Sequence, residues 1–247
     1  MTRLLISFQD APEGVLTEKD VAKIFGNPVS IVGVKEGLYK VVKNPRDGKK
    51  VLEITYPGGI IQENKTRVRL SFPKVNAATL TYSVLFADGF DFVRGGKLPG
   101  FGGGSAPRGG QKSDGSNGFS ARIMWREGGE IFQYMYWMER AKEKRWGDNL
   151  PWIDLRGDKK PFRFIPDTWH MLKTTLVMNT AGERNGQVTS WFDGRLALSA
   201  SGAFRAAGAD FGIDQLLFTT FFGGNDLTWA PRKNEHIFFG DLEVVLE

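Results

Sequence analysis

Apolar and polar residues alternate along much of the chain with a period of two, the pattern of strands that bury one face. VLEITY (51–56), TRVRLSF (66–72), ATLTYSVLF (78–86), FSARIMW (119–125) and IFQYMYWM (131–138) alternate or are dense in β-branched and aromatic residues. So do or are MLKTTLVMN (171–179), VTSWFD (188–193), LLFTTFF (216–222) and HIFFGDLEVVL (236–246). Turn dipeptides punctuate these runs at Asp47-Gly48, Asp88-Gly89, Asn185-Gly186 and Asp193-Gly194. TEKDVAKIFG (17–26) reads as a helix, with Thr17 as N-cap, Asp20 closing a capping box and Gly26 past its end. Many strands, frequent turns and a short helix predict an all-β chain. The expected architecture is a single-domain β-jelly-roll sandwich over residues 1–247, with one or two short helices.

One hairpin can be read to the level of individual side chains. In NGFSARIMWREGGEIFQYMYWM (117–138), Arg126 pairs with Glu130 if Glu127-Gly128-Gly129 forms a three-residue loop with glycine in the left-handed position. Antiparallel register then opposes Met124 to Phe132, Arg122 to Tyr134 and Ser120 to Tyr136, and opposed residues share a face. The other face carries Phe119, Ala121, Ile123 and Trp125 opposite Trp137, Met135, Gln133 and Ile131. It is apolar except for Gln133 and is expected in the core. A slip by one residue would mix the two sets, so the pattern specifies the register. Serine, arginine and two tyrosines gathered on the outer face suggest a functional surface.

Two stretches resist this kind of reading. GGKLPGFGGG (95–104) has almost no side chains to alternate, and the Gly/Ser-rich segment 95–118 predicts a long, partly mobile loop over a sheet face. Its glycines would let backbone approach a ligand and bring Lys97 over the hairpin, with Pro99 stiffening the lysine's flank. KEKRWGDNLPWIDLRGDKK (142–160) predicts an excursion between strands. Trp146 and Trp152 there either stack on sugar rings or pack into the loop's own core, the second being the simpler reading.

Composition narrows the chemistry. The chain has 247 residues, 41% of them apolar, and no cysteine, which excludes disulfides, zinc-thiolate sites and a cysteine nucleophile. With two histidines, His170 and His236, no metal site or cofactor is expected, and both are read as hydrogen-bonded or exposed. No apolar run is long enough for a membrane span. The run in MTRLLISFQD is too short for a signal peptide, so secretion would need a leader outside this sequence. The formal charge is +5. Between Phe92 and Arg126 stand Arg94, Lys97, Arg108, Lys112, Arg122 and Arg126 against Asp114 alone, so this segment carries the whole excess. A polyanionic partner follows. Nucleic acid is not expected, because no reader motif accompanies the charge. A phosphate loop fails because Asp91 stands where its first glycine belongs and Leu98 follows the lysine. GFSAR (118–122) fails as a nucleophile elbow, since Arg122 replaces the last glycine. The carboxylate pair Glu127 and Glu130 flanks a turn and suits solvent better than a glycosidase cleft.

RGGKLPGFGGG, GFSARIMWR and YMYWM, with WHMLKTTLVMNT, NGQVTSWFDG and TFFGGNDLTWAP, resemble polysaccharide lyase family 14 over roughly residues 78–247. The resemblance implies a β-jelly roll that cleaves alginate or glucuronan by β-elimination. It places the functional residues on Lys97, Ser120, Arg122, Tyr134 and Tyr136. In such chemistry a cation must neutralise the uronate carboxylate before C5 loses its proton, and the planar fork of Arg122 suits that task. Tyr136 or Lys97 would be the base, with Ser120 and Tyr134 orienting the sugar. Arg94, Arg108, Arg126 and Trp229 are expected to bind neighbouring sugars. The partner is then an anionic polysaccharide, and the chain is expected to act as a monomer. The alternative is a non-catalytic polyuronide-binding jelly roll.

Overall fold

Two-residue periodicity is realised as two antiparallel sheets that share one apolar core. The structure, a computed structural model, describes residues 1–44, 46–61, 66–139 and 146–247. The chain begins with β1 (Thr2–Ile6), β2 (Gly14–Val15), α1 (Glu18–Ile24), β3 (Ser30–Val32), β4 (Tyr39–Lys43) and β5 (Lys50–Tyr56). It continues through β6 (Arg67–Val75), β7 (Ala77–Phe86), β8 (Gly95–Gly104), β9 (Gly118–Arg126), β10 (Ile131–Tyr136) and β11 (Asp148–Pro151). Then come β12 (His170–Val177), β13 (Gly186–Phe192), β14 (Arg195–Gly202), β15 (Ile213–Thr219), β16 (Phe221–Phe222) and β17 (Glu235–Leu246). The first sheet runs β14-β13-β12-β7-β17-β5-β4-β2, with β1 also on β17. The second runs β11-β10-β9-β8-β15-β6-β3, with β16 on β8. This is the expected all-β jelly-roll sandwich. Among the described residues no helix is long and apolar enough to cross a membrane.

Aromatic side chains from both sheets meet between them. The Trp125 ring of β9 lies 5.4 Å from Phe86 of β7, and Tyr56 of β5 lies 5.3 Å from Phe222 of β16, edge to face in both cases. Each fully buried phenylalanine contributes about 1.5–3 kcal/mol by leaving water. The helix forms as its sequence dictates. Thr17 Oγ1 accepts from the Asp20 N–H at 3.2 Å, and the Asp20 carboxylate accepts from the Thr17 N–H at 2.9 Å. Past its end, Gly26 takes φ +70°.

The hairpin has the expected register, Met124 to Phe132, Arg122 to Tyr134 and Ser120 to Tyr136. Its turn closes with Arg126 N–H donating to Glu130 O at 2.8 Å, and Gly128 and Gly129 adopt φ +63° and +78°. Phe119, Ala121, Ile123, Trp125, Ile131 and Met135 all enter the core. Gln133 is buried with them, its amide donating to the Arg122 carbonyl at 3.1 Å. Met124, Tyr134 and Tyr136 form a separate cluster on the opposite face. The strand stops at Tyr136, so Trp137 lies beyond the ladder, although it too is buried.

The glycine stretch departs from its sequence reading. Residues 95–104 are not a loop but β8, paired with β9 on one side and with β15 and β16 on the other. Glycine is required there by close approach between strands. A Cβ added to Gly100 would lie 2.7 Å from Arg122 Cα and even closer to the Ala121 carbonyl oxygen. Pro99 is accommodated because the ladder shifts register between Leu98 and Gly100, leaving it in a bulge. The loop proper is confined to residues 105–117. The segment 142–160 contributes β11; its residues 142–145 lie outside the described residues.

Candidate active site

The outward face of the second sheet forms the floor of a cleft. Cross-strand partners make a continuous row: Asn149 opposite Tyr134, Tyr134 opposite Arg122, and Arg122 opposite Gly100. The row continues from Gly100 to Leu217, from Leu217 to Arg69 and from Arg69 to Ser30. Apart from Gly100, every member of that row lines one cavity of about 510 Å³. Among the described residues six cations line it, Arg67, Arg69, Lys97, Arg108, Arg122 and Arg126, and no Asp or Glu does. Such a surface raises the local concentration of polyanions.

At the centre stand Lys97, Arg122, Tyr134 and Tyr136. Lys97, opposite Met124 and Phe221, places Nζ 3.9 Å from the centroid of the Tyr134 ring and 3.2 Å from Met124 Sδ. The two tyrosine rings meet edge to face, with their hydroxyl oxygens 3.4 Å apart. Each oxygen also accepts a backbone N–H, Tyr134 from Gly147 at 3.1 Å and Tyr136 from Gly110 at 3.0 Å. Burial pushes the Tyr134 phenol well above its ordinary value, and Tyr136 adds to the shift. The Gly147 N–H and the Arg122 charge act in the other direction. Tyr134 therefore keeps its proton at neutral pH.

Ser120 shares this face by register, but its hydroxyl donates to the Pro107 carbonyl at 2.7 Å and does not line the cavity. Its visible role is to fasten the loop 105–117 that carries Arg108 and Gly110. Tyr136, on the face read as the outer one, is fully buried, because that same loop covers it.

Two groups of cations flank the centre. On one side Trp229 lines the cavity with the guanidinium of Arg94 4.9 Å and that of Arg126 5.6 Å from its ring centroid. Arg94 is held by Thr228 Oγ1 at 2.8 Å and lies behind Trp229 rather than in the cavity wall. Arg126 donates to Asn149 Oδ1 at 2.8 Å; burial, reinforced by Arg94, pulls its guanidinium below the ordinary value. On the other side lie Arg67 and Arg69, with Arg108 near enough to disfavour charge on Arg67.

A family model for polysaccharide lyase 14 matches residues 44–242. The chain belongs to that family. It is a polysaccharide lyase. The match begins upstream of the motif-bearing region 78–247 and takes in β5 and β6. No curated protein matches the sequence significantly. Among solved structures, a double mutant of the alginate lyase Aly36B in complex with alginate tetrasaccharide is similar with TM-score 0.82 and 21% identity, over 99% of this chain and 97% of that one. The marine alginate lyase from Aplysia kurodai gives TM-score 0.74 and 23% identity, over 99% and 98% of the two chains. The endo-β-1,4-glucuronan lyase from Trichoderma reesei gives 0.58 and 10%, over 95% and 94%. At these identities the likeness establishes the shared fold.

Sequence reasoning missed several residues of this lyase's cleft. Arg67 and Arg69 were within reach, because TRVRLSF already reads as a strand and places both arginines on one face, opposite buried Val68. Thr219 and Ser30 carried no signal, since only sheet order brings them to the arginines. Trp146 lines the cavity and is 45% exposed, whereas Trp152 is fully buried in the main apolar core. The histidines lie outside the cleft. His170 Nδ1 meets Asp193 at 2.8 Å, and His236 Nδ1 meets Glu53 at 2.8 Å. Among the described residues no group of three or more His, Cys, Asp or Glu could hold a metal ion.

Proposed function

We propose that the cleft binds an anionic β-1,4-linked polyuronide, polymannuronate-type alginate or glucuronan, and cuts it endolytically by syn β-elimination. The observation that carries this reading is a cavity lined, among the described residues, by six cations and no carboxylate around two adjacent phenols. The fold neighbours named above, alginate lyases and a glucuronan lyase, act on polymers of this class. The chain works as a monomer and as one catalytic domain, the latter reading supported by one large apolar cluster that runs from Ile6 to Leu246. Its place of action is outside the cell, where a long polyanion is accessible.

The Arg122 guanidinium grips the C6 carboxylate through its fork and neutralises it, so that removing the C5 proton does not accumulate a second negative charge. Tyr136, as phenolate, takes that proton. The C5 electron pair forms the C4–C5 double bond, the C4–O4 bond breaks, and Tyr136 returns the proton to O4. The phenolate is thereby regenerated, and the new chain end is a 4,5-unsaturated uronate. The Gly110 N–H donates to the Tyr136 phenol oxygen, and the Tyr134 hydroxyl oxygen lies 3.4 Å from it. Lys97, over the Tyr134 ring, adds a second cation to the same field and is the alternative base. Arg126 and Trp229 hold neighbouring sugars, with Arg94 behind them, while Arg108 reaches the other arm and Ser120 positions the loop that bears it.

Stereochemistry gives the test. Mannuronate and glucuronate place the C5 proton and O4 on one face, where one side chain can serve both, while guluronate inverts C5. Ultraviolet absorbance of the unsaturated product should rise with polymannuronate or glucuronan and scarcely at all with polyguluronate. Faster cleavage of polyguluronate than of both others would overturn the reading.

A further inference from the structure

The arm of the cleft farthest from the tyrosines holds an arrangement that the catalytic residues do not explain. Arg67 and Arg69 project from β6 on the cleft side, and their cross-strand partners are Thr219 and Leu217 on β15 and Val32 and Ser30 on β3. Arg67 Nε, Arg69 Nε and Thr219 Oγ1 are buried and make no hydrogen bond. Elsewhere the chain pairs its arginines with carboxylates, Arg46 with Asp167, Arg163 with Glu130 and Arg195 with Asp154. Neither cleft arginine has such a pair among the described residues.

Electrostatics sharpen the anomaly. Burial pulls the Arg67 guanidinium below its ordinary value, and Arg108 and Arg69 push in the same direction. Asp214 is the carboxylate that senses Arg69, yet it forms no ion pair with it and lines no part of the cavity; its Oδ2 accepts the Gly104 N–H at 3.3 Å. Partly buried cations held together with no counter-ion among the described residues are costly unless a ligand supplies the negative charge. An anion whose oxygens accept from two forks and a hydroxyl matches them.

Resting on the polyuronide reading above, we propose that Arg67, Arg69 and Thr219 form a distal subsite for the carboxylate of a sugar that is not the one being cleaved. Three strand spacings, from β9 through β8 and β15 to β6, put Arg69 about 14 Å from Arg122 along the floor. That is more than one pyranose ring spans, so the two arginines read carboxylates on different sugars of one chain. The subsite makes productive binding depend on chain length and on a negative charge at a fixed distance from the scissile bond.

The test is the double variant Arg67→Gln/Arg69→Gln, assayed on polymannuronate and on oligomannuronates too short to span both sites, with polymer affinity measured in parallel by calorimetry. KM and Kd for the polymer should rise at least ~10-fold, the scale of losing charge-assisted hydrogen bonds. The loss should fall on KM rather than kcat, and it should be much smaller for the short substrates. The salt dependence of Kd should flatten, since fewer ion contacts remain to be screened. Tm should stay level or rise, because mutual repulsion is removed, whereas a structural role would lower it. Arg69→Lys, which keeps the charge and loses the fork, should fall between. Polymer KM and Kd equal to wild type, or an equal loss on short and long substrates, would overturn the subsite. A wild-type protein that bound polymannuronate without cleaving it would overturn the lyase chemistry on this substrate instead, and the affinity ratio alone would then decide the subsite.

Discussion

Tyr136→Phe is expected to lower kcat at least ~10²-fold with little change in KM, the low end of what a positioned acid–base group contributes. The substitution keeps the ring, and with it the edge-to-face packing on Tyr134. It removes the oxygen that accepts the Gly110 N–H, at a cost of about 1 kcal/mol in stability, so the fold survives. Tyr134→Phe should be milder, because that phenol keeps its proton and serves only to orient the sugar. The kinetic split separates the two: the loss in Tyr136→Phe should fall on kcat, and the smaller loss in Tyr134→Phe on KM. Normal turnover in Tyr136→Phe, with Lys97→Ala folded but inactive, would transfer the base role to Lys97.

Arg122→Lys is expected to reduce kcat/KM at least ~10²-fold, the scale of losing one preorganised donor to developing charge. An ammonium keeps the sign of the charge, but it replaces a bidentate fork with a point. The hydrogen bond from Gln133 goes to the Arg122 backbone carbonyl, so the hairpin is not loosened by the change. Thermal melting near wild type together with the kinetic loss would assign the effect to the carboxylate contact. Wild-type kcat/KM in this variant would show that the C6 carboxylate is neutralised elsewhere.

The hairpin was legible because its two faces differ chemically and its turn pins the register. Alternation therefore specifies the pairing of Arg122 with Tyr134. The helix was legible through Thr17 and Asp20, whose capping is a local property of four residues. β8 was not, because glycine erases the binary pattern. What makes it a strand is the Ala121 backbone and the Trp125 ring lying where side chains would go, and those belong to β9. The short strands β2, β3 and β11 have too few residues to show a period. Arg67 and Arg69 were legible as a face but not as part of the site, since it is β15 that places β6 two strands from β8. Ser120 shows the reverse: its face was read correctly, but its hydroxyl is engaged by a loop that no alternation predicts.

The most direct measurement counts two products in one reaction on polymannuronate, new reducing ends and new conjugated double bonds. Elimination across C4 and C5 creates one of each per cut, so the two should rise together from the first time point, and both should be suppressed in Tyr136→Phe. Reducing ends that accumulate without ultraviolet absorbance would mean that water, not a C5 carbanion, breaks the bond, and would contradict the account.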